Sequence, residues 1–252
     1  MTMLKIENLT KKYGDFIAVD NISLDVPKGI IYGFLGPNGA GKTTTIKSVM
    51  GLLKPTRGKV FIDSIDLERD SLKAKSIIGY VPDEAEIYDK LTGLEYLEFV
   101  GNVFQMNHEK LDTKVRQFLE LFRMDGDAKK LIESYSHGMK QKIQIIAAFI
   151  HEPKLLIIDE PMVGLDPQSA RLFKDLMKQY CDLGNTIFMS THILEIAEKL
   201  CERVGIINKG KIIAEGTVQD LRGKGGHEKS LEDIFLSVTG GTQYSELTQF
   251  LQ

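Results

Sequence analysis

Hydrophobic and polar positions change their spacing along this chain in a definite order. Apolar residues gather in β-type runs at Leu4 to Leu9, Ile17 to Val26 and Ile30 to Leu35, separated by turn residues. The last run passes into a glycine-rich segment and then a helical stretch, which predicts strand, loop, helix. From Leu91 to Ala128 the spacing becomes helical: Leu94, Leu97 and Gly101 fall together, and Val115, Phe118, Leu119 and Phe122 repeat at i, i+3, i+4 and i+7. This predicts a helical insert. Ser136 caps a further helix carrying the stripe Ile143, Ile146, Ala147 and Ile150. Leu155-Leu156-Ile157-Ile158 is a continuous apolar run, as a parallel strand covered on both faces requires. A second such strand, Thr186 to Met189, leads into a helix from about Ile193 to Glu202. Val204 to Asn208 and Lys211 to Ala214 flank Lys209-Gly210 and read as a hairpin. Beyond Asp220 the chain turns polar and glycine-rich, with a short helical patch from Leu231 to Val238 that reads as an appendage.

Composition narrows the classes. The 252 residues are 42% apolar and 27% charged, the balance of an ordinary globular chain. A formal net charge of −3 offers no attraction to polyanions, so no nucleic-acid partner is expected. No window approaches the ~20 apolar residues of a membrane helix, and the start, MTMLKIENLTKKYG, lacks the pattern that marks secretion. Any membrane process served by this chain would use another protein's membrane helices. Cys181 and Cys201 have neither paired spacing nor a histidine cluster nearby, and read as reduced packing thiols.

The chemistry starts at Gly36-Pro37-Asn38-Gly39-Ala40-Gly41-Lys42-Thr43, which fits GxxxxGK[ST] between the strand Ile30 to Leu35 and a helix. Glycines there let backbone N–H groups turn inward onto phosphate oxygens, and the helix N-terminus adds partial positive charge. Lys42 would reach the β- and γ-phosphates, Thr43 would offer its hydroxyl to Mg²⁺, and Thr44 continues the cradle. The strand Leu155 to Ile158 ends in Asp159-Glu160. Asp159 suits the acidic residue that holds Mg²⁺, and Glu160 is the candidate general base for an attacking water.

Tyr135-Ser136-His137-Gly138-Met139 resembles the LSGGQ signature of ATP-binding cassette (ABC) proteins, and it stands between the P-loop and the acidic strand, in that family's order. The resemblance runs from Leu4 to about Asp220. It implies an α/β fold: a P-loop NTPase core with a mixed sheet, an N-terminal antiparallel β-subdomain and an inserted α-helical subdomain. The implied cassette spans 1–222, with the insert at about 88–152 and a tail at 223–252. It also implies that Tyr13 stacks on adenine, that Ser136 and Gly138 close over the γ-phosphate of an opposite protomer, that Asp166 in Gly164-Leu165-Asp166 communicates across a dimer, and that His192 is the γ-phosphate switch. Catalysis would rest on Glu160, His192 and Lys42, with ATP and Mg²⁺ bound and Thr43, Asp83 and Asp159 toward the metal.

The chain departs from the family in two places. Asp83, in Tyr80-Val81-Pro82-Asp83-Glu84, replaces the usual glutamine, and the signature reads SHGMKQK. With the segment SLEDIFLSVTGG, these features look like the ABC-2 type exporter branch. The implied partners are separate membrane-spanning permease subunits and a second cassette, identical or related, at the inner face of the cell membrane. An iron–sulfur assembly ATPase and an importer cassette are the alternatives.

Overall fold

The computed structural model describes residues 1–84, 87–160, 162, 164–225 and 230–239. In chain order the strands are β1 (Thr2–Tyr13), β2 (Phe16–Pro27), β3 (Ile31–Leu35), β4 (Arg57–Ile62), β5 (Ile65–Asp66), β6 (Ile78–Val81), β7 (Leu155–Asp159), β8 (Thr186–Thr191), β9 (Arg203–Asn208) and β10 (Lys211–Thr217). The helices are α1 (Lys42–Val49), α2 (Ser71–Lys75), α3 (Gly93–Val103), α4 (His108–Leu121), α5 (His137–Phe149), α6 (Pro167–Asp182), α7 (Leu194–Leu200), α8 (Val218–Gly225) and α9 (Leu231–Thr239).

Two sheets result. An antiparallel sheet runs β2-β1-β4-β5, and a six-stranded sheet runs β10-β9-β3-β8-β7-β6, parallel except at the β10 edge. Strands β3, β7 and β8 are buried along their whole length. Their side chains alternate between two cores, because successive residues of a strand face opposite ways. Ile31, Leu35, Leu156, Ile158, Ile187 and Met189 join the helical side with α3 to α6, whereas Tyr32, Phe34, Leu155, Ile157 and Phe188 join the antiparallel sheet and α1. A continuous apolar run is therefore what a central strand here must be.

The helical insert predicted over Leu91 to Ala128 contains two helices, α3 and α4. Gln105 takes a positive φ of 54° after α3, and Asn107 caps α4 by accepting from the N–H groups of Glu109 and Lys110. Thr92 starts α3 with a capping box to Glu95. The helix predicted at about Ile193 to Glu202 is the shorter α7. The glycine and lysine of the predicted hairpin are Lys209 and Gly210, both at positive φ, which matches the twist of the paired strands β9 and β10. The boundary expected at 222/223 falls inside α8, and α9 buries Leu231 and Ile234 in the helical-side core. Residues 226–229 and 240–252 of the expected tail lie outside the described residues. Among the described residues no helix is long and apolar enough to cross a membrane.

Candidate functional site

The parallel register sets the site. Leu35 of β3 lies beside Thr191 of β8, Ser190 of β8 beside Asp159 of β7, and Ile158 of β7 beside Val81 of β6. The residues that follow these strand ends therefore emerge along one edge: Gly36 and the P-loop, His192, Glu160, and Asp83. Ligands of open α/β sheets sit at this carboxyl edge.

The P-loop wraps from β3 into α1 with Gly39 at φ 76° and Gly41 at φ 111°. A Cβ on Gly41 would lie 2.7 Å from the Ala18 carbonyl, and one on Gly36 would strike the Ile207 carbonyl, so both positions need glycine for packing as well as for turning. Helices α3, α4, α5 and α6 each have a side-chain cap, but α1 has none. Its first-turn N–H groups are thus left for an external anion, which is the fit a phosphate requires. Thr43 is exposed at that end. Lys42 is buried and folds back, donating from Nζ to the Gly36 carbonyl at 2.7 Å and the Pro37 carbonyl at 3.2 Å. Burial lowers its pKa, while Glu160, Asp159 and Asp83 oppose that shift.

The acidic side is built by β7 and β8. Asp159 is 5% exposed and accepts a hydrogen bond from the Ser190 hydroxyl. Burial raises its carboxyl above the ordinary carboxylate value, and the Glu160 charge adds to this. Glu160 sits at φ 51°, a left-handed backbone turn that aims its side chain back over the sheet edge. Its carboxylate accepts from the Thr191 hydroxyl at 3.1 Å and from the His192 backbone N–H at 3.1 Å. The His192 ring Nδ1 lies 2.8 Å from the same carboxylate. Asp83 is exposed, and burial of its carboxyl, followed by Asp159, Glu160 and Glu84, raises its pKa. Among the described residues no three His, Cys, Asp or Glu side chains gather to hold a metal unaided. The oxygen set of Thr43, Asp159 and Asp83 instead suits Mg²⁺, which keeps water and phosphate ligands beside few protein ones.

The other expected residues lie apart from this cluster. Tyr13 is half exposed at the tip of the β1–β2 hairpin, with Lys11 Nζ 5.2 Å from its ring centroid. Ser136 caps α5 by accepting from the Met139 N–H at 3.3 Å and remains exposed. Gly138 packs on the Gly164 carbonyl, and the His137 ring fills the space where a Cβ on Gly164 would stand. The divergent Tyr135 occupies the corresponding space at Gly93 and donates its hydroxyl to the Asp127 carbonyl at 2.7 Å. Asp166 caps α6, accepting from the Ser169 N–H at 2.9 Å and its hydroxyl at 2.6 Å, with Lys142 at 3.2 Å. These donors hold its carboxyl well below the usual range.

Sequence reasoning passed over Ser190, whose hydroxyl holds Asp159, and Lys142, which holds Asp166, and it gave Thr191, whose hydroxyl holds Glu160, no role of its own. The signal for Ser190 and Thr191 was present: polar residues close a strand that is otherwise apolar, and buried polar groups need partners.

A protein-family model described as "ABC transporter" matches residues 19–163. The linearmycin resistance ATP-binding protein of Bacillus subtilis is 40% identical over 238 residues, covering 94% of this chain and 76% of that protein. A solved ATP-binding subunit of an ABC transporter superposes with a TM-score of 0.91 at 32% identity, covering 94% of this chain and all of that one. A dimeric ATP-binding cassette in a post-hydrolysis state, bound to ADP and phosphate, superposes with a TM-score of 0.77 at 27% identity, covering 85% of this chain and 98% of that one.

Proposed function

Because this chain belongs to the ABC transporter family of ATP-binding, ATP-hydrolysing subunits, we propose that it is the motor of an exporter. Two cassettes sandwich two ATP molecules, and closure drives separate membrane-spanning subunits from the inner face of the membrane. The linearmycin resistance relative and the divergent SHGMKQK signature favour the exporter branch. The observation that carries the reading is the convergence of P-loop, Asp159, Glu160, His192 and Asp83 on one sheet edge.

The residues divide the work by their chemistry. The uncapped N–H groups of α1 and the Lys42 ammonium receive the phosphates, and Lys42 exchanges its two carbonyl partners for phosphate oxygens. Thr43, Asp159 and Asp83 would hold Mg²⁺, which supplies charge neutralisation on the phosphates. Glu160 takes a proton from the attacking water. In the free chain that carboxylate is tied by Thr191, the His192 main chain and the His192 ring, so His192 both positions the base and reports on the γ-phosphate. The exposed Ser136 hydroxyl, at the start of α5, offers a second anion site to the opposite copy.

Glu160→Gln tests the core of this account. It keeps the shape and loses the base, so turnover should fall by about 10²- to 10⁴-fold while ATP binding persists. The variant should then accumulate as an ATP-bound dimer in size-exclusion chromatography. Wild-type turnover would reject Glu160 as the base. For the exporter reading, the chain is captured from detergent-solubilised membranes of its host. A polytopic membrane partner without a substrate-binding protein supports export, and a wholly soluble partner rejects the transport role.

A further inference from the structure

Gln141 carries the feature that the ATPase site does not use. Its side chain is 0% exposed, in the second turn of α5, yet neither Nε2 nor Oε1 finds a hydrogen-bond partner among the described residues. Buried amides are normally paired, and leaving one unpaired is worse than replacing it with an apolar group of the same shape.

The surroundings of α5 show what this amide faces. His137 and Gly138 pack on Gly164, and Lys142 reaches Asp166. At ~100° per residue, Gln141 projects roughly 40° from His137 and 60° from Gly138, between them and one turn further along. The loop Gly164–Asp166 therefore lies over the face that Gln141 shares. That loop follows Glu160 by four residues and ends at the cap of α6, so its position bears on where the base stands.

We infer that Gln141 is a positioning residue for hydrolysis, its amide reserved for main-chain groups of the Gly164–Asp166 loop in the ATP-closed dimer. The inference rests on the dimer reading above. Among the described residues of the free chain the amide has no partner; on closure it both donates to and accepts from the loop, and so stabilises the arrangement in which Glu160 acts. A carboxamide suits this task because it offers donors and an acceptor at one position.

The test uses Gln141→Leu, close in size and without polar atoms, with Gln141→Met as an unbranched second variant. Removing the unpaired amide should raise the melting temperature of the nucleotide-free chain by about 2–8 °C. Turnover should nevertheless fall roughly 10-fold, with the loss in kcat and little change in KM for ATP. In a Glu160→Gln background, the ATP-dependent dimer should need roughly 10-fold more protein to form. A lower melting temperature in both variants would overturn the inference, because Gln141 would then be paired in the free chain. Higher melting with unchanged kcat and dimerisation would overturn it too, leaving Gln141 as a packing residue. Failure of Glu160→Gln itself to dimerise with ATP would instead reject the sandwich reading and take the inference with it.

Discussion

At the scale of single residues, the site concentrates negative charge before any nucleotide arrives. Asp83, Asp159 and Glu160 face one buried lysine, and the Asp83 carboxyl is raised above its ordinary value of 3.8 by burial and then by Asp159, Glu160 and Glu84. The sign follows from proton binding: the folded chain holds this proton more tightly than the unfolded chain does. The stability it contributes is present below 3.8 and is lost as pH rises through the raised folded value. Asp83→Gln removes that repulsion, so the nucleotide-free variant should melt about 2 °C higher than wild type at pH 7, with the gap closing toward pH 4. The gain is small because Asp83 is exposed and solvent screens it. Equal melting curves at both pH values would show that Asp83 does not feel its neighbours. Its activity profile should also change, since a neutral amide has no acid limb to contribute. The residues proposed for catalysis were legible in the sequence because P-loop, Asp159-Glu160 and Thr191-His192 are contiguous strings at strand ends. Their supports were not, since Ser190 meets Asp159 only through strand pairing between β7 and β8.

At the scale of elements, helix N-termini divide into those that are closed by their own side chains and those that are left open, α1 together with the short α2 and α7. Thr92, Asn107, Ser136 and Asp166 cap α3, α4, α5 and α6, whereas α1 begins at Gly41 without a side-chain cap. Asp166 does more than cap, because Lys142 ties it back to α5. Asp166→Ala should cost about 1 kcal/mol, seen as a melting shift of roughly 2–4 °C, while Asp166→Asn should retain most of the stability because asparagine caps equally well. A large loss in the asparagine variant would mean that the charge opposite Lys142, not the cap, matters most. Capping was also where sequence reading went furthest wrong among the elements. Helix α6 was not foreseen, although Asp166-Pro167 is a cap followed by a proline at the first helical position, and within the Leu91 to Ala128 insert the break at Gln105 was not located. Strands β4 and β6 escaped because β4 exposes half its residues and β6 has only four, with a glycine within it.

For the whole molecule, the question is where the cooperative unit ends. Composition past Asp220 suggested an appendage, since glycines and polar residues dominate there and periodicity cannot show what a short helix packs against. The structure puts Leu231 at 0% exposure and Ile234 at 7%, in the same core as Leu200 of α7 and Val204 of β9. Helix α7 starts two residues after His192, so α9 braces the element that follows that histidine. If α9 belongs to the cooperative fold, Leu231→Ala should destabilise the entire chain by about 2–5 kcal/mol, lowering its melting temperature by roughly 5–15 °C in one transition. A tail that merely rests on the surface would come loose without moving the main transition, and the variant would melt as wild type does. Turnover measured well below either melting temperature separates stability from catalysis. It should stay near wild type, because Leu231 acts through the packing of α7 and touches none of the groups at the sheet edge.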